Sequence, residues 1–218
     1  MISRIPSWAD LVSMIMGVLL LVSAIHQMIT TGHTANNIFI CGIIALIPTV
    51  LKSARILELP WGVTLLIALS VSLHGFGLRF DFYSTVGFYD TITHTLSSAV
   101  VGVIVFYAMM CFQHYGGGKV NFTGRGLALF TALISMTFSV YWEVMEYLSD
   151  VLIDSMTQYS PYDTLTDLVC DSLGTLLASA GVGIYMRDRT IPEAIDSLRL
   201  DDRIKRFASK KADGGQED

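Results

Sequence analysis

Charge is what this chain has least of. Asp, Glu, Lys and Arg make up 15% of its 218 residues, against roughly a quarter in an ordinary globular domain. With 52% apolar residues and a mean hydropathy of +0.55, too few polar side chains remain to cover a soluble core. Soluble enzymes and nucleic-acid binders are excluded on that ground. Cysteine is scarce too. Cys41, Cys111 and Cys170 stand in apolar runs without CxxC spacing, so neither a disulfide framework nor a thiolate zinc site is supported and the three read as packing residues. HExxH and GxSxG are missing. Gly116-Gly117-Gly118-Lys119 is no phosphate loop, because Val120 follows the lysine and no strand precedes it.

What is present is a set of long apolar runs. A bilayer core about 30 Å thick needs about 20 mostly apolar residues per helix, and stretches near 11–29, 36–51, 61–80, 91–112, 126–147 and 164–186 qualify. The second is short and carries Pro48. The sequence therefore predicts an all-α polytopic membrane protein with six transmembrane helices over 1–186 and a cytoplasmic tail over 187–218. With both termini cytoplasmic, Arg79 is the only one of the 14 Lys and Arg left outside, as the positive-inside bias requires. Trp8 and Trp61 fall at the inner boundary, and Tyr83, Phe88, Tyr89, Tyr159 and Tyr162 at the outer one. No small-residue cleavage site follows Ala24, so the first span is expected to be a retained helix. Asn121-Phe122-Thr123 is a glycosylation sequon on the wrong side. In the tail, Ile195, Leu198, Ile204 and Phe207 share a helical face among Arg199, Arg203, Lys205 and Arg206, which suits either an interfacial helix or a solvated basic tail. The last seven residues read as disordered.

Sorting the acids by this topology puts Asp81, Asp90, Glu143, Glu146, Asp150, Asp154, Asp163, Asp167 and Asp171 on the outer side, with His26, His33, His74 and His94; only His114 falls inside. Asp90 and His94 are i, i+4; Glu143, Glu146 and Asp150 are i, i+3, i+7; Asp163, Asp167 and Asp171 are i, i+4, i+8, so each set forms one stripe. Glu143 lies about 10 Å below Asp150 and Asp171 about 12 Å below Asp163 along their helices, depths at which the stripes converge. Carboxylates crowded in this way repel one another unless a cation neutralises them. The expected cofactor is a divalent metal ion, Mn, Zn, Fe, Mg or Ca, held by oxygen-rich ligation with imidazole rather than copper held by thiolates. The first candidates are His94, Glu143, Glu146 and Asp167, with Asp90, Asp163 and Asp171 as ligands or supports. A di-iron site would want ExxH pairs where Glu143-x-x-Glu146 stands.

The bland readings are specific. Asp90 and Asp163 each precede a helix and would serve as N-caps. Asp81 and Asp154 read as solvated loop charges, and a neutral His74 bonded to a neighbouring helix needs no ligand. Gly174, Ala178 and Gly181 read as a close-packing face. His94, Glu143, Glu146, Asp167 and Asp171 lie a turn or more inside their spans, where neither a cap nor a surface accounts for them. There is also an internal echo: Tyr89-Asp90-Thr91-Ile92-Thr93-His94 and Tyr162-Asp163-Thr164-Leu165-Thr166-Asp167 would set His94 and Asp167 as equivalent positions on two sides of one site.

Tyr89-Asp90-x-x-x-His94, Glu143-x-x-Glu146 followed by Tyr147, and Asp163-Thr164-x-x-Asp167 with Gly174 seven residues on together resemble the YjdF-like family of multi-pass inner-membrane proteins of bacteria and archaea. The resemblance covers roughly 85–180. The family usually has a glycine soon after the histidine where Ser97 and Ser98 stand here. The resemblance implies a plasma-membrane protein and the same acidic and histidine positions, without naming a reaction.

Three readings of function follow. A metal-dependent hydrolase or transferase acting on lipid headgroups suits a site opening where headgroups lie. A proton or cation transporter would use the same acids as a relay, but the inner halves of these helices are almost free of ionisable groups. An accessory subunit of a membrane complex would make the acids structural. The expected surroundings are the lipid bilayer, a lipid substrate and no nucleic acid, and the small-residue face of the sixth span suits a homo-oligomer or a membrane partner.

Overall fold

The computed structural model describes residues 2–3, 5–32, 34–116, 120–153, 158 and 160–206. The sequence assignments that fall on His33, Asp154, Tyr159, Phe207 and the last seven residues lie outside the described residues. The elements are α1 (Trp8–Thr31), α2 (Asn36–Ser53), α3 (Trp61–Phe80), α4 (Phe82–Thr85), α5 (Tyr89–Tyr115), α6 (Gly124–Ile153), α7 (Pro161–Tyr185) and α8 (Ile191–Asp196), with a 3-10 turn at Met186–Asp188. No strand occurs among the described residues. Six of the helices, α1, α2, α3, α5, α6 and α7, are long and apolar enough to cross a membrane. The protein is thus an all-helical multi-pass membrane protein in contact with lipid. α3 coincides with its apolar run, whereas the other spans run longer than expected, most of all α6, which continues through residues 148–153 past Asp150.

The chain divides into two compact units. The first comprises residues 1–89, 110–121 and 189–218. Within it α1, α2 and α3 pack on one another. Gly17 and Gly42 make the α1–α2 crossing: a Cβ on either would lie 3.0–3.1 Å from the other's carbonyl oxygen, a separation that only small residues allow. The Ser13 hydroxyl donates to the Ala45 carbonyl, three residues before Pro48, which stays within α2. Asp10 closes a capping box with Ser7 and also pairs with Lys52 at 2.6 Å. Lys52 in turn meets Glu58 at 3.0 Å, and Glu58 meets Arg199 at 3.1 Å. The segment after α8 is tied to the α2–α3 loop by Glu58 N–H donating to the Leu198 carbonyl and Asp201 N–H to that of Ile56. Ile195 and Leu198 are buried.

The second unit comprises residues 90–109 and 122–188, the main part of α5 with α6 and α7. Its outer faces carry exposed apolar side chains such as Leu133, Phe138, Val169 and Leu177, the surface a lipid environment covers. Its interior is polar, and that contrast sets up the site.

Candidate metal centre

The local sequence sets the first turns. Ser160, not Asp163, caps α7, accepting the Asp163 amide on its hydroxyl at 3.1 Å, and Pro161 occupies the first turn, where its missing N–H loses nothing. Phe88 takes the cap position of α5. Asp90 and Asp163 therefore sit inside their first turns and are not N-caps, which corrects the reading from sequence. Both still complement the helix dipole.

On α5 the imidazole of His94 is the hub. Its Nε2 stands 3.5 Å from Asp90 Oδ1 and 3.9 Å from Asp167 Oδ1, and its Nδ1 3.2 Å from Asp171 Oδ1. Asp171 Oδ1 also accepts the Ser98 hydroxyl at 2.6 Å. Two groups converge on this ring, Asp90–His94–Asp167 and His94–Glu143–Asp171, with their ligand atoms within 4.8 Å of one another. Two oxygens on opposite sides of one ion, each 2.0–2.5 Å from it, stand about 4–5 Å apart, so both groups have the span a cation needs. Glu143, Asp167 and Asp171 are almost fully buried, and Glu143 has no hydrogen-bond partner for either carboxylate oxygen. The unit's only Lys or Arg are Arg125 and Arg187, far along the helices from these acids. Side chains thus supply a single imidazole against several buried carboxylates.

Close approach of α5 and α7 brings these groups together. A Cβ on Gly174 would collide with the backbone of Thr95, and a Cβ on Gly102 would meet Ala178. Gly181 is open, with nothing near its missing side chain, so the packing face expected from sequence stops at Ala178.

The remaining candidates lie as follows. Glu146 and Asp163 stand outside both close groups; Glu146 accepts the Trp142 indole N–H at 2.9 Å. Asp150 accepts the backbone amide of Gln158 at 2.8 Å. Asp81 ends α3 in a left-handed conformation, with Ser84 donating to it at 2.5 Å. His74, in the first unit, pairs with the Tyr83 hydroxyl at 2.5 Å, and His26 is exposed on α1. The echo positions His94 and Asp167 face each other, whereas Tyr89 is 9% exposed and Tyr162 80%. Ser98 was missed as a site residue because a serine in an apolar helix carries no signal of its own; its i+4 offset from His94 was the available clue.

Neither a curated protein nor a solved structure matches this chain. The sequence profile of one family does match, over residues 9–189, a range that takes in all six spans but for Trp8 and every residue of the two close groups. The chain belongs to the family described as "Predicted membrane protein (DUF2238)".

Proposed function

We propose that this protein holds a divalent cation between α5, α6 and α7 and uses it for hydrolysis or transfer at lipid headgroups. One observation carries the reading: Glu143, 4% exposed, has both carboxylate oxygens unbonded beside His94 and Asp171, while Asp90 and Asp167 close on the same imidazole. A buried carboxylate without a partner is costly by several kcal/mol, and a divalent ion removes that cost for two acids at once. Asp171 and Ser98 occupy the Nδ1 side of His94, which leaves Nε2 for the ion with Asp90 and Asp167, and Glu143 joins the same imidazole through the group it forms with Asp171. Glu146 and Asp163 border this set. The donors, one imidazole and carboxylates, fit Mn, Zn, Fe, Mg or Ca.

Such an ion supplies Lewis acidity and an activated water. Asp90 and Asp163 lie in the first turns of their spans, the depth at which headgroups sit. The distribution of Lys and Arg supports cytoplasmic termini, a plasma-membrane location and a site facing outward, and the motif set from Tyr89 to Gly174 supports a relation to the YjdF-like proteins. The test is elemental analysis by mass spectrometry on detergent-purified wild type and a Glu143→Ala, Asp167→Ala double variant, each offered Mn, Zn, Fe, Mg and Ca. Near-stoichiometric metal in the wild type, lost in the variant, is the expected result. A well-folded wild type that takes up none of the five overturns the reading.

A further inference from the structure

Below the acids, the interior of the second unit stays polar in an unusual way. Several of its hydroxyls are silenced by their own helix: Thr93, Ser97, Thr137, Thr166 and Ser172 each donate to a carbonyl three or four residues back, at 2.6–2.9 Å. That is the ordinary fate of Ser and Thr in an apolar helix. Thr131, Ser135 and Thr175 do otherwise. All three are fully buried, 0% exposed, and none has a hydrogen-bond partner. Each such hydroxyl costs about 1–3 kcal/mol, and the alternative bond to the preceding turn is always within reach.

Their positions are ordered. Thr131, Ser135, Ser139 and Glu143 recur every four residues on α6, all buried, a stripe about 18 Å long. Thr175 follows Asp171 by one turn on α7. On α5, a Cβ at Gly102 would lie 2.5 Å from Ala178 Cβ, 3.7 Å from Ser135 Oγ and 4.0 Å from Thr131 Cγ2, so this glycine brings α5 and α7 up to the two hydroxyls on α6. Leu127, next on the α6 stripe and 0% exposed, closes the series with an apolar side chain.

We propose that Thr131, Ser135 and Thr175 line a hydrated proton path that runs from the acid cluster toward the Gly124 end of α6 and is shut by Leu127. A hydroxyl both donates and accepts, so a proton passes along the file with one O–H bond made and one broken at each oxygen, and no ionisable group is needed below the acids. An apolar constriction stops a file of water by dewetting, which assigns the gate to Leu127. The path is independent of whether the cluster holds metal.

The experiment is proton flux into proteoliposomes carrying a trapped pH dye, driven by a potassium diffusion potential. Leu127→Ala is expected to raise flux at least tenfold over wild type. Adding Thr131→Val, Ser135→Ala and Thr175→Val, which keep or slightly reduce side-chain size, is expected to return flux to the level of empty vesicles. Size-exclusion profile and metal content, measured alongside, report folding and the cluster separately. No rise in Leu127→Ala or in a second variant, Leu127→Ser, overturns the proposal, as does a rise that survives removal of the three hydroxyls.

Discussion

Asp171 fixes the ring of His94. One oxygen of its carboxylate lies 3.2 Å from Nδ1 and accepts the Ser98 hydroxyl at 2.6 Å, so the imidazole turns its Nε2 toward Asp90 and Asp167. A carboxylate behind a ligating histidine sets both its tautomer and its orientation, and losing it typically weakens metal binding 10–100-fold. Asp171→Asn and Ser98→Ala are expected to lower metal affinity, by about tenfold or more for the first and less for the second, with the secondary structure retained. Titration of the purified variants with Mn or Zn checks this, and unchanged affinity would remove Asp171 from the site.

Gly174 sits where α7 presses on the backbone of Thr95. Because backbone faces the missing Cβ, no side chain can swing aside, and Gly174→Ala must push the helices apart. Overpacking of this kind typically costs about 1–3 kcal/mol. The variant is expected to lower the thermal transition in detergent, while Gly181→Ala, with open space around it, leaves the transition in place.

Lys52 is buried against Asp10 at 2.6 Å and Glu58 at 3.0 Å. Removing one member of a buried pair leaves an uncompensated charge, a loss of about 3–5 kcal/mol. Lys52→Ala is expected to be strongly destabilising, and Lys52→Met combined with Asp10→Asn to recover much of that loss. Thermal unfolding in detergent of the single and double variants separates the two.

Glu58, in the loop between α2 and α3, predicts a pH dependence. Burial by itself would raise its carboxyl, but the Ser3 amide, Lys52 and Arg199 outweigh it and hold the group below its ordinary range. A carboxyl depressed on folding adds stability that is present above its unfolded value, about 4.3, and is lost as pH falls through the folded value. The gap in thermal stability between wild type and Glu58→Gln is therefore expected at pH 7 and should close on acidification below about pH 4. A gap that stays constant over that range would contradict it.

Six apolar runs separated by short polar segments made the number and approximate position of the spans legible from sequence, because the length of a helix across lipid and its hydropathy are local properties. Stripe spacing likewise brought out His94, Glu143, Asp167 and Asp171 as side chains of one face per helix. Of the two readings open for Asp90 and Asp163, ligand or cap, the cap does not hold, since a cap depends on which residue leaves the helical conformation, and Ser160 and Phe88 do so here. Asp10, one turn into α1, gave no sign of its partner 42 residues on.

Periodicity along the chain is enough to give an all-helical membrane protein with rows of acids on α6 and α7 and the Asp90–His94 pair on α5. Which of these groups meet is set by packing. Asp171 reaches His94 because Gly174 and Gly102 let α5 and α7 approach, and Glu143, Thr131, Ser135 and Thr175 are left without partners because their helices turn them inward. Contacts between residues distant in sequence depend on how helices pack, and helix packing depends on shape at the crossing, which periodicity does not encode.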